Sequence, residues 1–436
     1  MSSPRIHRFD TFEQQTAFCA RATGVVLPRM TFGKKAFFQD LGAWSRSSRG
    51  GGDRPETACI MPDPIQGLSF PRALDVLHSS LSLSSSAVRE RDLYGLMGRF
   101  GLNPEKATQP IVTLSGGEVL LLNFAKAEAM RPVVSKLVAC SPIHWLNRRR
   151  YRYWNQLTEG YGQNGHATEV ALLEGEPYPG DPVTVDERSP VRLPPMEWLL
   201  ELMPLTVVFD EIPFPFHHPA SRLVYQLDKG TSLHLASPTL MTGDNGVGKS
   251  IFAKIAAGVI KAASGRLAIA SSSGAGACRL LFQDAIDQIF GQSIDGHRRW
   301  TFLFDRQLAA RAEEMLAAVE NDVRAALNTD SDLLHALLPK QRRCTLLQAK
   351  LSLTAERLAD APALLILDEP AWGLSKQAAQ AFVEAVCRRA AAQGTAVMII
   401  SHQQEWWRRL ARSRCHLLKT APHTITIREV STDAVC

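Results

Sequence analysis

Long apolar runs are missing from this 436-residue chain. The longest, such as 363–367 and 396–400, fall far short of the roughly 20 residues a bilayer-spanning helix needs, so no membrane span is expected. The first 30 residues scatter Arg, Asp and Glu over no long apolar core, so no secretory signal is expected either. The eight cysteines form no CxxC pair and no zinc-ligand spacing, and they read as reduced cytosolic thiols. Charge of one sign is also scarce. The net +6 suits phosphates, nucleic acid or an anionic membrane surface equally, so it selects no partner. What remains, 45% hydrophobic and 21% charged residues, excludes a mainly disordered or fibrous chain. At roughly 100–200 residues per domain the length predicts two or three domains.

The strongest local signal is at 243–250, Gly-Asp-Asn-Gly-Val-Gly-Lys-Ser, which satisfies G-x-x-x-x-G-K-S. An apolar approach precedes it, and 251–260 reads as a helix with Ala, Ile and Phe on one face. Gly243, Gly246 and Gly248, with Asn245 between them, let backbone N–H groups turn inward around phosphate oxygens, and the helix N-terminus adds its positive dipole end. Lys249 is placed to reach the β- and γ-phosphates, and the Ser250 hydroxyl to hold Mg2+. Downstream, Leu364, Leu365, Ile366 and Leu367 lead into Asp368, Glu369 and Pro370. A buried parallel strand with carboxylates at its C-terminal edge is where a nucleotide site of an α/β fold is expected. Asp368 can bind Mg2+, and Glu369 can polarise the attacking water. A second apolar strand, 395–400, ends in Ser401 and His402, and a histidine there can hold the γ-phosphate and the water.

In this order the motifs resemble those of an ABC-type ATPase over about residues 205–420. The resemblance makes 243–250 the Walker A loop, 364–368 the Walker B strand, Glu369 the catalytic glutamate and His402 the switch histidine. It makes Gln283 the Q-loop residue that senses Mg2+ and the γ-phosphate. The stretch 287–291, Asp-Gln-Ile-Phe-Gly, looks like that of ATPases of energy-coupling-factor importers. One expected element is absent. The family carries an LSGGQ signature ahead of Walker B, where this chain has Cys344, Thr345, Leu346, Leu347 and Gln348. Leucines at the glycine places would block close approach, so this half is expected to hold ATP without capping a partner's ATP.

That signature stands in the first half, as Leu114, Ser115, Gly116, Gly117 and Glu118. Laid beside the second half, 137–142 falls over 365–370, with Cys140 on Asp368 and Ser141 on Glu369. The stretch 60–64 falls over the Q-loop, with Pro62 on Gln283, and 145–147 falls over 373–375. Residues 32–37 are placed over 247–252, with Pro28 at the first loop glycine and Lys35 at the Mg2+ hydroxyl. Leu173 and Glu174 are placed at the Ser-His position. The expected fold is therefore α/β, two tandem P-loop ABC ATPase domains forming an intramolecular head-to-tail pseudo-dimer. The division is 1–190 for the degenerate half and 191–436 for the competent one, across a Pro/Gly-rich stretch at 175–195. Ser115, Gly116 and Gly117 are then expected to cap the ATP held by the second half, giving one composite site.

The expected function is an ATP hydrolase using ATP and Mg2+, cytoplasmic and peripheral on the inner face of the cell membrane. It drives a separate transmembrane partner for import of a small molecule or metal ion, docked at 284–300. The alternatives are a soluble mechanochemical ATPase acting on nucleic acid, ribosomes or a protein complex, and a slow regulatory binding module. Phe214 or Phe216 is read equally as adenine-stacking or as core. The mixed cations and aromatics at 147–154 are read first as a solvated face, with nucleic acid or lipid phosphates as the alternative.

Overall fold

The computed structural model describes residues 4–23, 57–60, 68, 72–85, 87–109, 111, 114, 116–141, 151–176, 178, 193, 196–202, 205–209, 223–227, 231–244, 246–261, 264–265, 267–271, 274–275, 277–283, 285, 288–289, 294–302, 305–327, 345–421 and 424–430.

In the first half, four short strands form one parallel sheet. They are β1 (Arg5–Phe9), β2 (Thr57–Ile60), β3 (Lys136–Cys140) and β4 (Ala167–Leu173), in the order β1-β4-β3-β2. The helices are α1 (Phe12–Thr23), α2 (Ala73–Leu81), α3 (Glu90–Arg99), α4 (Gly116–Met130) and α5 (Tyr151–Gln163). A continuous core joins α2 to α5 with the inner faces of β2, β3 and β4. Its largest member, Trp154, is fully buried, and its indole N–H donates to the Tyr178 hydroxyl at 3.1 Å. The described aromatics of the 147–154 stretch thus serve packing: Tyr151 and Tyr153 rest on the same core.

Among the described residues the second half contains two sheets. An antiparallel sheet has the order β11-β10-β5-β8, from β5 (Glu197–Leu202), β8 (Thr231–Ala236), β10 (Leu267–Ser271) and β11 (Gly274–Ala275). An eight-stranded sheet has the order β12-β13-β14-β9-β15-β16-β7-β6. Its members are β6 (Leu205–Phe209), β7 (Leu223–Leu227), β9 (Thr239–Gly243), β12 (Cys278–Leu281), β13 (Leu364–Asp368), β14 (Ala396–Ile400), β15 (Ser413–Ala421) and β16 (Thr424–Val430). The central strands β13 and β14 are buried at all five positions, which is why they read as unbroken apolar runs rather than alternating ones. The helices are α6 (Lys249–Ala256), α7 (Ile294–Thr301), α8 (Arg306–Ala326), α9 (Leu346–Leu358), α10 (Lys376–Ala392) and α11 (Gln404–Trp407). Trp406 and Trp407 are buried among them. Among the described residues no helix is long and apolar enough to cross a membrane.

The two halves repeat one topology. In the second, β12, β13, β14 and β9 lie side by side and parallel. In the first, β2, β3, β4 and β1 do the same. Register fixes the correspondences. Leu281 pairs with Leu367 as Ile60 pairs with Ala139, and Asp368 pairs with Ile400 as Cys140 pairs with Ala171. Gly116 opens α4 as Leu346 opens α9.

Three expectations change. First, the counterpart of the phosphate-loop strand β9 is β1, which ends at Phe9, and not the segment before residue 32. The stretch 28–37 lies outside the described residues. The loop itself is gone: five residues, 244–248, separate β9 from α6, whereas only Asp10 and Thr11 separate β1 from α1. Second, the Ser-His place is taken by Leu172 and Leu173, one residue earlier than expected, because Ala171 and not Leu172 faces Cys140. Third, Cys19 on α1 and Cys140 at the end of β3 are joined by a disulfide, so these two thiols are not free.

Candidate functional site

The C-terminal edge of the eight-stranded sheet gathers the second half's motif residues. β9 ends at Gly243, and α6 opens at Lys249 after a loop whose last residue, Gly248, has φ +103°. An L side chain rarely adopts that conformation, so the residue that turns the chain from loop into helix is a glycine. Lys249 is buried, and its ammonium crosses the loop to donate to the carbonyls of Gly243 (2.9 Å) and Asp244 (3.2 Å). Asn245 lies outside the described residues.

Ser250, in the first turn of α6, hydrogen-bonds Asp368 at the end of β13. Burial raises the Asp368 carboxyl above its ordinary value, against the Ser250 hydrogen bond and the charges of Lys249, Lys254 and Lys350. Its Oδ1 is buried without a hydrogen-bond partner. A buried carboxylate oxygen left over beside a serine hydroxyl fits a hard divalent cation such as Mg2+, which takes oxygen ligands. Ser250 and Asp368 would hold it. Gln283 lies two residues beyond β12, the strand next to β13, at the same edge.

Glu369 takes φ +47°, which turns its side chain back across the sheet edge. Its Oε1 accepts from the His402 N–H at 2.9 Å and lies 3.5 Å from His402 Nε2. Its Oε2 accepts from the Ser401 hydroxyl at 3.1 Å. Burial pushes its carboxyl up to about 8; Lys249 opposes this and Asp368 adds to it. A carboxyl poised near neutrality is suited to taking a proton from water. The adjoining Pro370 carbonyl accepts from Lys350, a fully buried lysine of α9, at 3.0 Å. The structure thus brings Lys249, Ser250, Asp368, Glu369 and His402 together. Sequence reasoning missed two supports, Ser401 and Lys350. Ser401 was visible as the neighbour of His402; Lys350 had no signal beyond a lysine inside an apolar helix.

Among the described residues of the first half, the equivalent place holds no such set. Cys140, opposite Asp368 in the repeat, is tied to Cys19. Ser141 takes the left-handed turn of Glu369, with φ +39°, but donates its hydroxyl at 2.7 Å to Glu176. Glu176 is fully buried, also accepts from the Leu173 N–H at 2.9 Å, and is pushed by burial up to about 8. The Gln15 amide of α1 donates to Ser141 Oγ (2.7 Å) and to the Ala171 carbonyl (2.8 Å). A carboxyl group therefore remains at this edge, but it is supplied from the segment just beyond β4 rather than from the end of β3, and it is closed into a protein network. Of the signature residues, Gly116 and Gly117 form the first turn of α4, and Ser115 lies outside the described residues.

No protein-family profile and no curated protein matches the chain. Solved structures do. A model of ribosome-bound archaeal Pelota and ABCE1 is 12% identical over 98% of this chain and 74% of that one, with a TM-score of 0.53. An RNase-L inhibitor is 13% identical over 97% of this chain and 84% of that one, at 0.49. The protein cbiO1 from Clostridium perfringens, part of the ABC transporter complex cbiONQ, is 18% identical over 52% of this chain and 87% of that one, at 0.35. At such identities the likeness concerns the fold, and the first of these matches carries it: the chain has a tandem ABC ATPase fold of the α/β class.

Proposed function

We propose that this chain is an ATP hydrolase with a single composite site. The second domain, 191–436, holds the nucleotide, and the first, 1–190, caps it with Ser115, Gly116 and Gly117. The observation that carries this reading is the Ser250–Asp368 pair with its spare buried carboxylate oxygen, beneath Lys249 and beside Glu369. Mg2+ bound there supplies charge neutralisation for the phosphates. Gly243, Asn245, Gly246 and Gly248 turn backbone N–H groups to the phosphate oxygens, and Lys249 exchanges its loop carbonyls for β- and γ-phosphate oxygens. Glu369 takes the proton of the attacking water, held in aim by Ser401 and His402, while Gln283 reports the occupied site to the segment beyond it. Closure of α4's first turn on the terminal phosphate adds helix N–H donors where charge develops and couples turnover to movement. Ser115→Arg should abolish turnover although it lies in the other domain. Normal hydrolysis by that variant would rule out the composite site.

The partner reading is a separate transmembrane subunit importing a small molecule or metal ion, with this chain on the inner face of the membrane. Its support is the stretch after Gln283. A second reading, a soluble mechanochemical ATPase acting on nucleic acid, a ribosome or a protein complex, is favoured by the likeness, along nearly all of this chain, to a chain of the ribosome-bound Pelota and ABCE1 model. Co-purification with a polytopic membrane protein supports the first; nucleic-acid-stimulated turnover supports the second.

A further inference from the structure

The place where a second nucleotide would sit, between the first half's β1–α1 turn and the N-terminus of α9, is filled by protein. The N-terminal turn of α1 satisfies itself: the Asp10 and Thr11 N–H groups donate to Gln14 Oε1, and the Gln14 N–H donates to Thr11 Oγ1. Glu13, in the same turn, reaches across to the other half. Its Oε1 accepts at 3.1 Å from the N–H of Leu346, the first residue of α9. Leu346 stands at the first glycine of the missing signature, so a carboxylate meets the N–H at the position where a signature meets phosphate. The remainder of that helix end is capped by Thr345 and Gln348 reciprocally.

The contact does not stand alone. Phe12 is 3% exposed and belongs to the core of the second half, with its ring 5.3 Å from that of Trp372. Thr11 forms an antiparallel bridge with Leu374, and the Lys376 N–H donates to the Glu174 carbonyl at 3.1 Å. Gly373, with φ +70°, lies so close that an added Cβ would meet Leu346 Cδ2 and come within 3.2 Å of Phe12. An anion at a helix N-terminus, an aromatic anchor and a backbone bridge make a joint that needs no ligand.

We propose that the Glu13 carboxylate is a built-in substitute for the terminal phosphate of a second nucleotide, clasping this side of the interdomain interface shut with or without ATP. Opening and closing are then confined to the side where, on the proposed function, α4 caps the phosphate loop, and the clasp is the pivot. The likening of Glu13 to a phosphate rests on the ATPase reading; the closed joint does not.

The test is amide hydrogen exchange on the full chain, nucleotide-free and with Mg·ATP in the Glu369→Gln background. The Leu346 amide should be equally protected in both states, and Glu13→Gln should lower that protection by about tenfold, the loss expected for a charged hydrogen bond. Fast exchange of Leu346 without nucleotide, or protection that appears only with ATP, overturns the proposal even if the Glu13→Gln variant folds poorly, because the first comparison needs no change at Glu13. If Leu346 is protected throughout while the first turn of α4 never responds to ATP, the clasp stands and the ATPase reading fails.

Discussion

Replacing Ser401 by alanine removes a single hydroxyl that serves the Glu369 carboxylate and the Gln403 N–H. Ser401 is fully buried, donates to Glu369 Oε2 at 3.1 Å and accepts from the Gln403 N–H at 3.1 Å. The variant leaves Glu369 with the His402 N–H on its other oxygen but with no donor on Oε2. Loss of a hydrogen bond to a buried charged group costs about 1.5–3 kcal/mol, or a factor of roughly 10 to 150. The cost falls on the ionised form, because that form accepts the bond. The Glu369 carboxyl, already near 8, must therefore rise further. In steady-state ATPase assays between pH 6 and 9.5, kcat should fall by about ten-fold or more near pH 7. KM for ATP should be little changed, and the acidic limb of the rate profile should move to higher pH. A purely structural role would lower kcat without moving the limb. Wild-type kcat with an unshifted limb would refute the assignment of Glu369 as the proton acceptor held by Ser401.

Lys249→Ala should eliminate nucleotide binding in equilibrium dialysis, whereas Glu369→Gln should bind ATP and fail to turn it over; turnover by Glu369→Gln would remove the general base from the account. Lys34→Ala and Cys140→Ala should leave the ATPase rate nearly intact, because neither residue belongs to the second domain's edge; a large loss in the former would place 28–37 back in the site. Glu176 has a folded-state value near 8, above its ordinary 4.5, so its neutral form favours the fold. That contribution is complete below about pH 4.5 and is lost as the pH rises through about 8. Glu176→Gln should flatten the decline in stability across that window in urea unfolding, and an unchanged slope would show that Glu176 is not its source.

What could be read in the sequence divides by how local the signal is. Residues 243–250 carry their chemistry within one turn of chain, and β13 announces itself by five consecutive apolar positions before Asp368. The described residues of the loop run from the end of β9 into α6, and Asp368 ends β13. The repeat was legible wherever an apolar strand preceded the marker, as at Ile60 and Cys140, because register in a parallel sheet advances residue by residue. It failed at 28–37, which lies outside the described residues: Gly33-Lys34 imitates a phosphate loop in sequence, while the strand in the register place of β9, Arg5–Phe9, has no glycine just after it. Glu13, Glu176 and Lys350 were illegible for a different reason. Each acts on a partner distant in sequence, Glu13 on Leu346 across the domain interface, and no spacing rule reports such a meeting.

The two-residue connection between β1 and α1 bears on how this chain could ever change. A lost side chain can return by one codon; a lost stretch of backbone cannot. Restoring triphosphate binding to the first domain would require lengthening the chain after Phe9, prising Phe12 from its neighbour's interior and surrendering the bridge to Leu374, all before any benefit accrued. On the ATPase reading, the asymmetry of the two halves is therefore held by backbone length and packing rather than by any one side chain.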